Sequence, residues 1–261
     1  MSNENQATYS SPNIVGHYTE LKRLQPAEEA ILERIHQKLS SMKMLDLGVG
    51  GGRTTKHFAP LVKEYVGIDY SAQMIEACEQ RFPKISSITS LAVGDARNLS
   101  QFPDDTFDFM LFSFNGIDSV THEDRQQILR EVQRVGKKDS YFLFSSHNLQ
   151  GAAREFDYKK HIGCNPLQTY VNLVMFGLLR LCNRSVTRHQ LNTSPHLMIR
   201  DESHNFRLKH YYIRPEAQKK QLAPYFHDIE VYPWNSKDQI SGSTELSTNA
   251  DMWLYYFCIV N

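Results

Sequence analysis

This chain of 261 residues lacks net charge and paired cysteines. Lysine and arginine total 29, as do aspartate and glutamate, so no bulk field points to nucleic acid. The four cysteines, Cys78, Cys164, Cys182 and Cys258, stand apart with no C-x-x-C spacing. That excludes a zinc or disulfide framework and leaves reduced, mostly buried thiols in a cytoplasmic protein. Long apolar runs are missing as well. Residues 173–179, with Gly177 inside, fall far short of the roughly 20 needed to span a bilayer, so no membrane partner is expected. The N-terminus, MSNENQATYSSPN, has neither a basic start nor an apolar centre and is no secretory signal. Five histidines fall at 161, 189, 196, 204 and 210, none paired as H-x-x-x-H, so no metal is expected.

What is present suffices for a packed core: 41% hydrophobic and 11% aromatic residues, in one domain of generous size or a domain with an insertion. Residues 1 to about 15 are polar and read as mobile. Pro26 with Glu28 and Glu29 marks a helix start, and Ile31, Ile35 and Leu39 recur every four residues as one buried stripe. Strands are expected near 43–48, 64–69, 88–93, 107–113 and 140–147, alternating with helices near 53–60, 72–82 and 122–135. Ser71 and Thr121 are the candidate N-caps. Such alternation demands a parallel sheet with helices on both faces. After Asn148 the rhythm breaks for about 60 residues, then resumes with a helix near 215–225 and strands near 228–233 and 252–260, the last two joined by a long loop with no helix between them. The segment 149–212 is too long for a bare loop. It offers an apolar helix at 167–182 and a small hairpin from 197–199 and 206–213, with Phe206, Leu208, His210 and Tyr212 on one face.

The chemistry concentrates at strand ends. Residues 44–53, MLDLGVGGGR, read as a strand, an acid, and a glycine loop opening into a helix, which sets bare N–H groups where nucleotide-like ligands bind. The dinucleotide pattern G-x-G-x-x-G would need glycine at 53, where Arg53 stands. A second strand ends at Asp69, 21 residues beyond Gly48, and a third ends in Gly94-Asp95-Ala96. A fourth, 106–113, ends at Ser113 and leads into Phe114-Asn115-Gly116.

These four motifs, in this order, resemble the signatures of class I S-adenosylmethionine-dependent methyltransferases of the small-molecule type. The resemblance covers residues 15–148 strongly and 211–261 by topology. It implies an α/β, Rossmann-like sheet of seven strands, parallel except the last, with helices on both faces, an N-terminal helical flap and an inserted lid after strand five. It further implies a single domain divided into an arm and helix (1–40), a donor-binding core (41–148), a lid over the substrate (149–212) and a core completion (213–261).

The cofactor so implied is S-adenosylmethionine. Gly48 and Gly50 would let the backbone approach its methionine portion. Asp46 would hold the ammonium, directly or through water, and Arg53 the carboxylate. Asp69 would accept both ribose hydroxyls, with Tyr70 and Met74 around the adenine. Asp95 and the Ala96 N–H would meet the adenine edge, and Ser113 ends the strand beneath the reacting groups. Tyr18 resembles an aromatic of the flap, placed to favour the sulfonium. For catalysis, His147 at the end of strand five is the candidate base and Asn115 the candidate orienting amide. Residues 113–116, SFNG, depart from the N/D-P-P-Y/F/W tetrad of adenine N6 and DNA-base methyltransferases, so a small-molecule or peptide acceptor is expected rather than nucleic acid. Methyl transfer to an O or N atom is the expected activity. The alternatives are a protein that binds the donor without transferring, for regulation or as a scaffold, and a nucleotide-dependent α/β enzyme of another class.

Overall fold

The structure, a computed structural model, describes residues 8, 10–83 and 89–261. Most of the polar start at 1–15 lies outside them, as does residue 88 of the third expected strand. Within that start, however, Pro12 opens α1 (Pro12–Glu20), which buries none of its residues completely. Helix α2 (Pro26–Leu39) begins as expected, with the Gln25 N–H donating to Glu28 Oε2 at 2.8 Å.

Alternation then runs β1 (Lys43–Leu47), α3 (Thr55–Phe58), β2 (Glu64–Asp69), α4 (Ala72–Arg81), β3 (Thr89–Val93), β4 (Phe107–Phe112), α5 (His122–Val135) and β5 (Gly136–Asn148). Ser71 caps α4 by accepting the Met74 N–H at 3.3 Å, and Thr121 caps α5 by accepting that of Asp124 at 3.2 Å. The segment 149–212 holds α6 (Leu149–Glu155), α7 (Pro166–Cys182), α8 (Arg188–Thr193), β6 (His196–Arg200) and β7 (Lys209–Ile213). Phe206 lies outside the hairpin strands, in a turn at φ +60°, so the expected four-residue face shrinks to His210 and Tyr212. The chain ends with α9 (Pro215–Leu222), β8 (Phe226–Pro233), α10 (Ser243–Thr248) and β9 (Trp253–Val260). Helix α10 corrects the expectation of a bare loop between the last two strands.

The core order is β3-β2-β1-β4-β5, all parallel, continued by β9 antiparallel to β5 and by β8 antiparallel to β9. These are the seven strands of the expected sheet. The hairpin β6–β7 adds two more, so the sheet has nine. Its position follows from register. At 141–144 β5 pairs with β4 and β9, and at His147 with β7 and β9. β7 therefore occupies the same edge as β4, taking up the backbone of β5 beyond the end of β4.

Period-two alternation splits the core across the sheet. Phe109 and Leu111 face Ile31, Ile35 and Leu39 of α2, while Met110 and Phe112 face Ile128, Leu129 and Val132 of α5. Each such aliphatic side chain contributes about 1.5–3 kcal/mol on burial, which fixes helices whose isolated stability is marginal. The cysteines depart from expectation: Cys78 and Cys258 are buried, but Cys164 and Cys182 are exposed. Among the described residues no helix is long and apolar enough to cross a membrane.

Candidate functional site

The strand ends at the carboxyl edge of the sheet surround a cavity of about 80 Å³. Its walls include Tyr18, Gly48, Gly50, Asp69, Tyr70 and Met74, with Asp95, Ala96 and Ser113 completing it. Nine of the sequence-predicted residues thus meet at one place. The glycine loop is shaped for close approach. Gly48 and Gly50 have φ of +65° and +53°, and a Cβ on Gly48 would sit 3.0 Å from the Phe112 ring.

Asp69, 6% exposed, accepts the Gly50 N–H on Oδ2 and the Ser71 N–H on Oδ1, both at 2.9 Å. Burial raises its pKa to about 6, against these two bonds. Asp95 is held differently. Arg97, unmarked by the sequence motifs, grips both its oxygens, with Nη2 to Oδ2 at 2.6 Å and Nε to Oδ1 at 3.1 Å. Burial works against ionisation of Asp95, but the bonds from Arg97 outweigh it and lower its pKa.

Two predicted contacts are not brought to the cavity. Asp46 lies beneath the loop, where its Oδ2 accepts Thr54 Oγ1 and Tyr65 Oη, each at 2.5 Å. Burial raises its pKa to about 6. Arg53 is committed elsewhere: its guanidinium forms a bidentate pair with Glu28, at 2.6 and 2.7 Å, and Nη2 donates to Ser113 Oγ at 2.7 Å. Glu28 is fully buried and also accepts from Ser113 Oγ and, at 3.0 Å, from Tyr255 Oη. Burial pushes its carboxyl up, but Arg53 outweighs this and holds it lowered. Arg53 thereby fastens α2 and the glycine loop to the end of β4. Glu28 carried only a helix-start signal in the sequence, and nothing marked it as part of this network.

The opposite side of the β4 end carries the second cluster. His147 Nδ1 lies 2.8 Å from Asp118 Oδ2, and the His147 N–H donates to the same oxygen at 2.6 Å. Asp118 is completely buried and also accepts from Arg125 Nη1 and, at 2.9 Å, from Ser146 Oγ. An ionised Asp118 fixes the proton of neutral His147 on Nδ1 and turns Nε2 into the acceptor. There Asn115 Nδ2 approaches at 3.3 Å. Asn115 adopts φ +58°, its N–H donates to Ser145 Oγ at 2.7 Å, and its Oδ1 is buried with no hydrogen-bond partner. Neither His147 nor Asn115 lines the cavity, but Phe114 and Gly116 on either side of Asn115 do. Asp118, three residues beyond Asn115, carried no assigned role in the sequence. Among the described residues no group of His, Cys, Asp and Glu is placed to hold a metal ion.

The residue types fit S-adenosylmethionine. A paired-amide carboxylate ends β2, left-handed glycines open the loop, and Met74 and Tyr70 supply adenine-sized apolar walls. The volume, though, is below the ~300 Å³ of a ligand-sized pocket. Tyr18 bounds the cavity, and a Cβ on Gly51 would sit 2.8 Å from the Thr19 backbone nitrogen. Helix α1 thus lies close over the glycine loop, with Tyr18 in the cavity wall.

The sheet order, the helices on both faces and the loop at its carboxyl edge give this chain the fold of S-adenosylmethionine-dependent methyltransferases. Residues 45–144 match the family described as Methyltransferase domain. Over 108 residues the chain is 33% identical to an uncharacterized methyltransferase, YcgJ, of Bacillus subtilis, a stretch covering 40% of each protein. Among solved structures, a Pyrococcus horikoshii protein superposes with a TM-score of 0.58 at 20% identity, over 97% of this chain and 92% of that one. An S-adenosylmethionine-dependent methyltransferase of Mesorhizobium loti superposes with a TM-score of 0.60 at 16% identity, over 89% and 97%.

Proposed function

We propose that this chain transfers a methyl group from S-adenosylmethionine to an O or N atom of a small molecule, a peptide or natural-product intermediate included. The observation that carries the reading is the meeting of all four sheet-edge motifs at one cavity, with the Asp118–His147 pair on the neighbouring strand end. The donor, when bound, supplies a methyl group on a sulfonium that leaves as a neutral thioether. The chain's own part is to align and to exclude water. Asp69 accepts the ribose hydroxyls, Tyr70 and Met74 enclose the adenine, and Asp95 with the Ala96 N–H meets its edge. Tyr18 comes down with α1 to close the site.

His147 acts as the base where the acceptor must lose a proton. Its Nε2 takes that proton in place of the Asn115 amide bond, and Asp118 stabilises the imidazolium without being protonated itself. Asn115 then orients the acceptor through its amide. Residues 149–212 form the lid that selects the acceptor, between a donor-binding core at 41–148 and its completion at 213–261. Balanced charge supports a small acceptor over nucleic acid, and four unbridged thiols support a cytoplasmic setting.

Calorimetric titration with S-adenosylhomocysteine, and separately with NADH, tests this. Micromolar binding of the first alone is expected, followed by turnover on a phenol, amine or carboxylate. A folded protein that binds only NADH would move it to the alternative class of nucleotide enzyme.

A further inference from the structure

Beneath α7 lies a second cavity, of about 320 Å³, closed by α6, α7 and the turn after β6. That volume is within the range of small-molecule pockets. Its walls are mainly apolar and aromatic, with Phe156, Phe176, Phe206 and Tyr212 contributing rings. Three carboxylates interrupt them: Glu155, Asp201 and Glu202. Asp201 is internally satisfied, accepting Tyr212 Oη at 2.6 Å and facing His210 Nδ1 at 2.9 Å. Burial pushes its carboxyl up, but these contacts outweigh it and hold the group lowered. Among the described residues Glu155 and Glu202 have no side-chain hydrogen bond or ion pair. His161 also lines the cavity, with its Nε2 2.9 Å from the Glu155 carbonyl oxygen, but no lysine or arginine does. Arg180 stands over the Phe156 ring, 5.5 Å from its centre.

We propose that this chamber binds an organic ammonium ion with an apolar body, and that it anchors the non-reacting end of the methyl acceptor. Aromatic faces, with the half-buried Glu155 and the exposed Glu202 in a mainly apolar wall, favour a weakly hydrated cation and disfavour an anion of the same shape. The second half of the proposal rests on the methyl-transfer reading above. The two cavities are neighbours across packed side chains: the Tyr212 ring, in the wall of one, lies 4.7 Å from the His147 ring, and His147 reaches Asn115, whose neighbours line the other. An elongated acceptor with its cation held under α7 would thus have its other end beside His147.

The test uses benzyltrimethylammonium as the probe and phenylacetate as its anionic counterpart, titrated into the full chain with S-adenosylhomocysteine run in parallel. The cation should bind at least about tenfold more tightly than the anion, the scale of a desolvated cation–aromatic contact. Leu179→Trp, which fills the chamber, should abolish that binding and leave S-adenosylhomocysteine affinity unchanged. Glu155→Gln, which removes one unpaired charge at constant volume, should weaken it severalfold, and it covers the case in which the tryptophan variant fails to fold. Equal binding of cation and anion, or cation binding indifferent to both substitutions, would overturn the chamber. Loss of S-adenosylhomocysteine binding in the unsubstituted protein would count against methyl transfer while leaving the cation site standing.

Discussion

Two regions of this chain reach the same sheet edge by different means. In the core from residue 26 to 148, polar side chains bond one another inside the protein. Glu28 ties Arg53 to Ser113, Asp46 is bonded by Thr54 and Tyr65, and Asp118 gathers Arg125, Ser146 and His147. The segment 149–212 does the reverse. Helix α7 has 17 residues and buries none completely, with Leu167 72% exposed, whereas the 14-residue α5 buries five. The first region is internally satisfied; the second leaves apolar surface uncovered. On the proposed function, that is the difference between a frame for a fixed donor and a wall for a variable acceptor.

The contrast is sharpest in stability. Arg125 and Asp118 are both fully buried, so Asp118→Ala strands a guanidinium without its partner and should cost about 3–5 kcal/mol in urea unfolding. A loss below about 1 kcal/mol, the range of exposed pairs, would erase the distinction between the two regions. His147→Ala acts on function and should lower turnover about a hundredfold while leaving S-adenosylhomocysteine affinity nearly intact. Unchanged turnover would remove His147 from the chemistry.

Asp69→Ala should weaken that affinity more than about tenfold, through loss of two hydrogen bonds to a charged group. The same carboxylate sets a pH dependence. Its pKa near 6 lies above the ordinary value, so it takes up a proton early as pH falls, and the ionised form is the one that accepts hydroxyls. Affinity should hold above pH 7 and fall through pH 6 in the native protein, but not in Asp69→Asn. The smallest effect belongs to the lid: Leu167→Ser should change stability by no more than about 0.5 kcal/mol, and a larger loss would mean that α7 is covered in solution.

The sequence was legible where the signal is local. Glycine spacing, strand-end acids and capping residues lie within a few positions of one another, and they located β1 to β5 and nine residues that meet at the sheet-edge cavity. The pairing of Arg53 was hidden for the opposite reason: Glu28 is 25 residues upstream and on another element, so only packing reveals it. The bonds of Asp46 were hidden similarly, because a strand-end acid looks the same whether it points at the cavity or at a buried tyrosine. In the lid, the apolar run marked α7 as a helix, but composition alone does not tell which of its faces is covered. Nor does the alternation of β7 disclose that it would join β5 on the edge of β4.

That junction shapes how the chain folds. The hairpin meets the main sheet through only two residue pairs, His147 with Tyr212 and Asn148 with Ile213. Those pairings close a loop of about sixty residues onto a stretch of β5 that β4 leaves unpaired. β6 and β7 are therefore a late and separately opening unit. Their amides should exchange with solvent long before those of β1 and β4, so that the hairpin can come undone while the parallel core stays native.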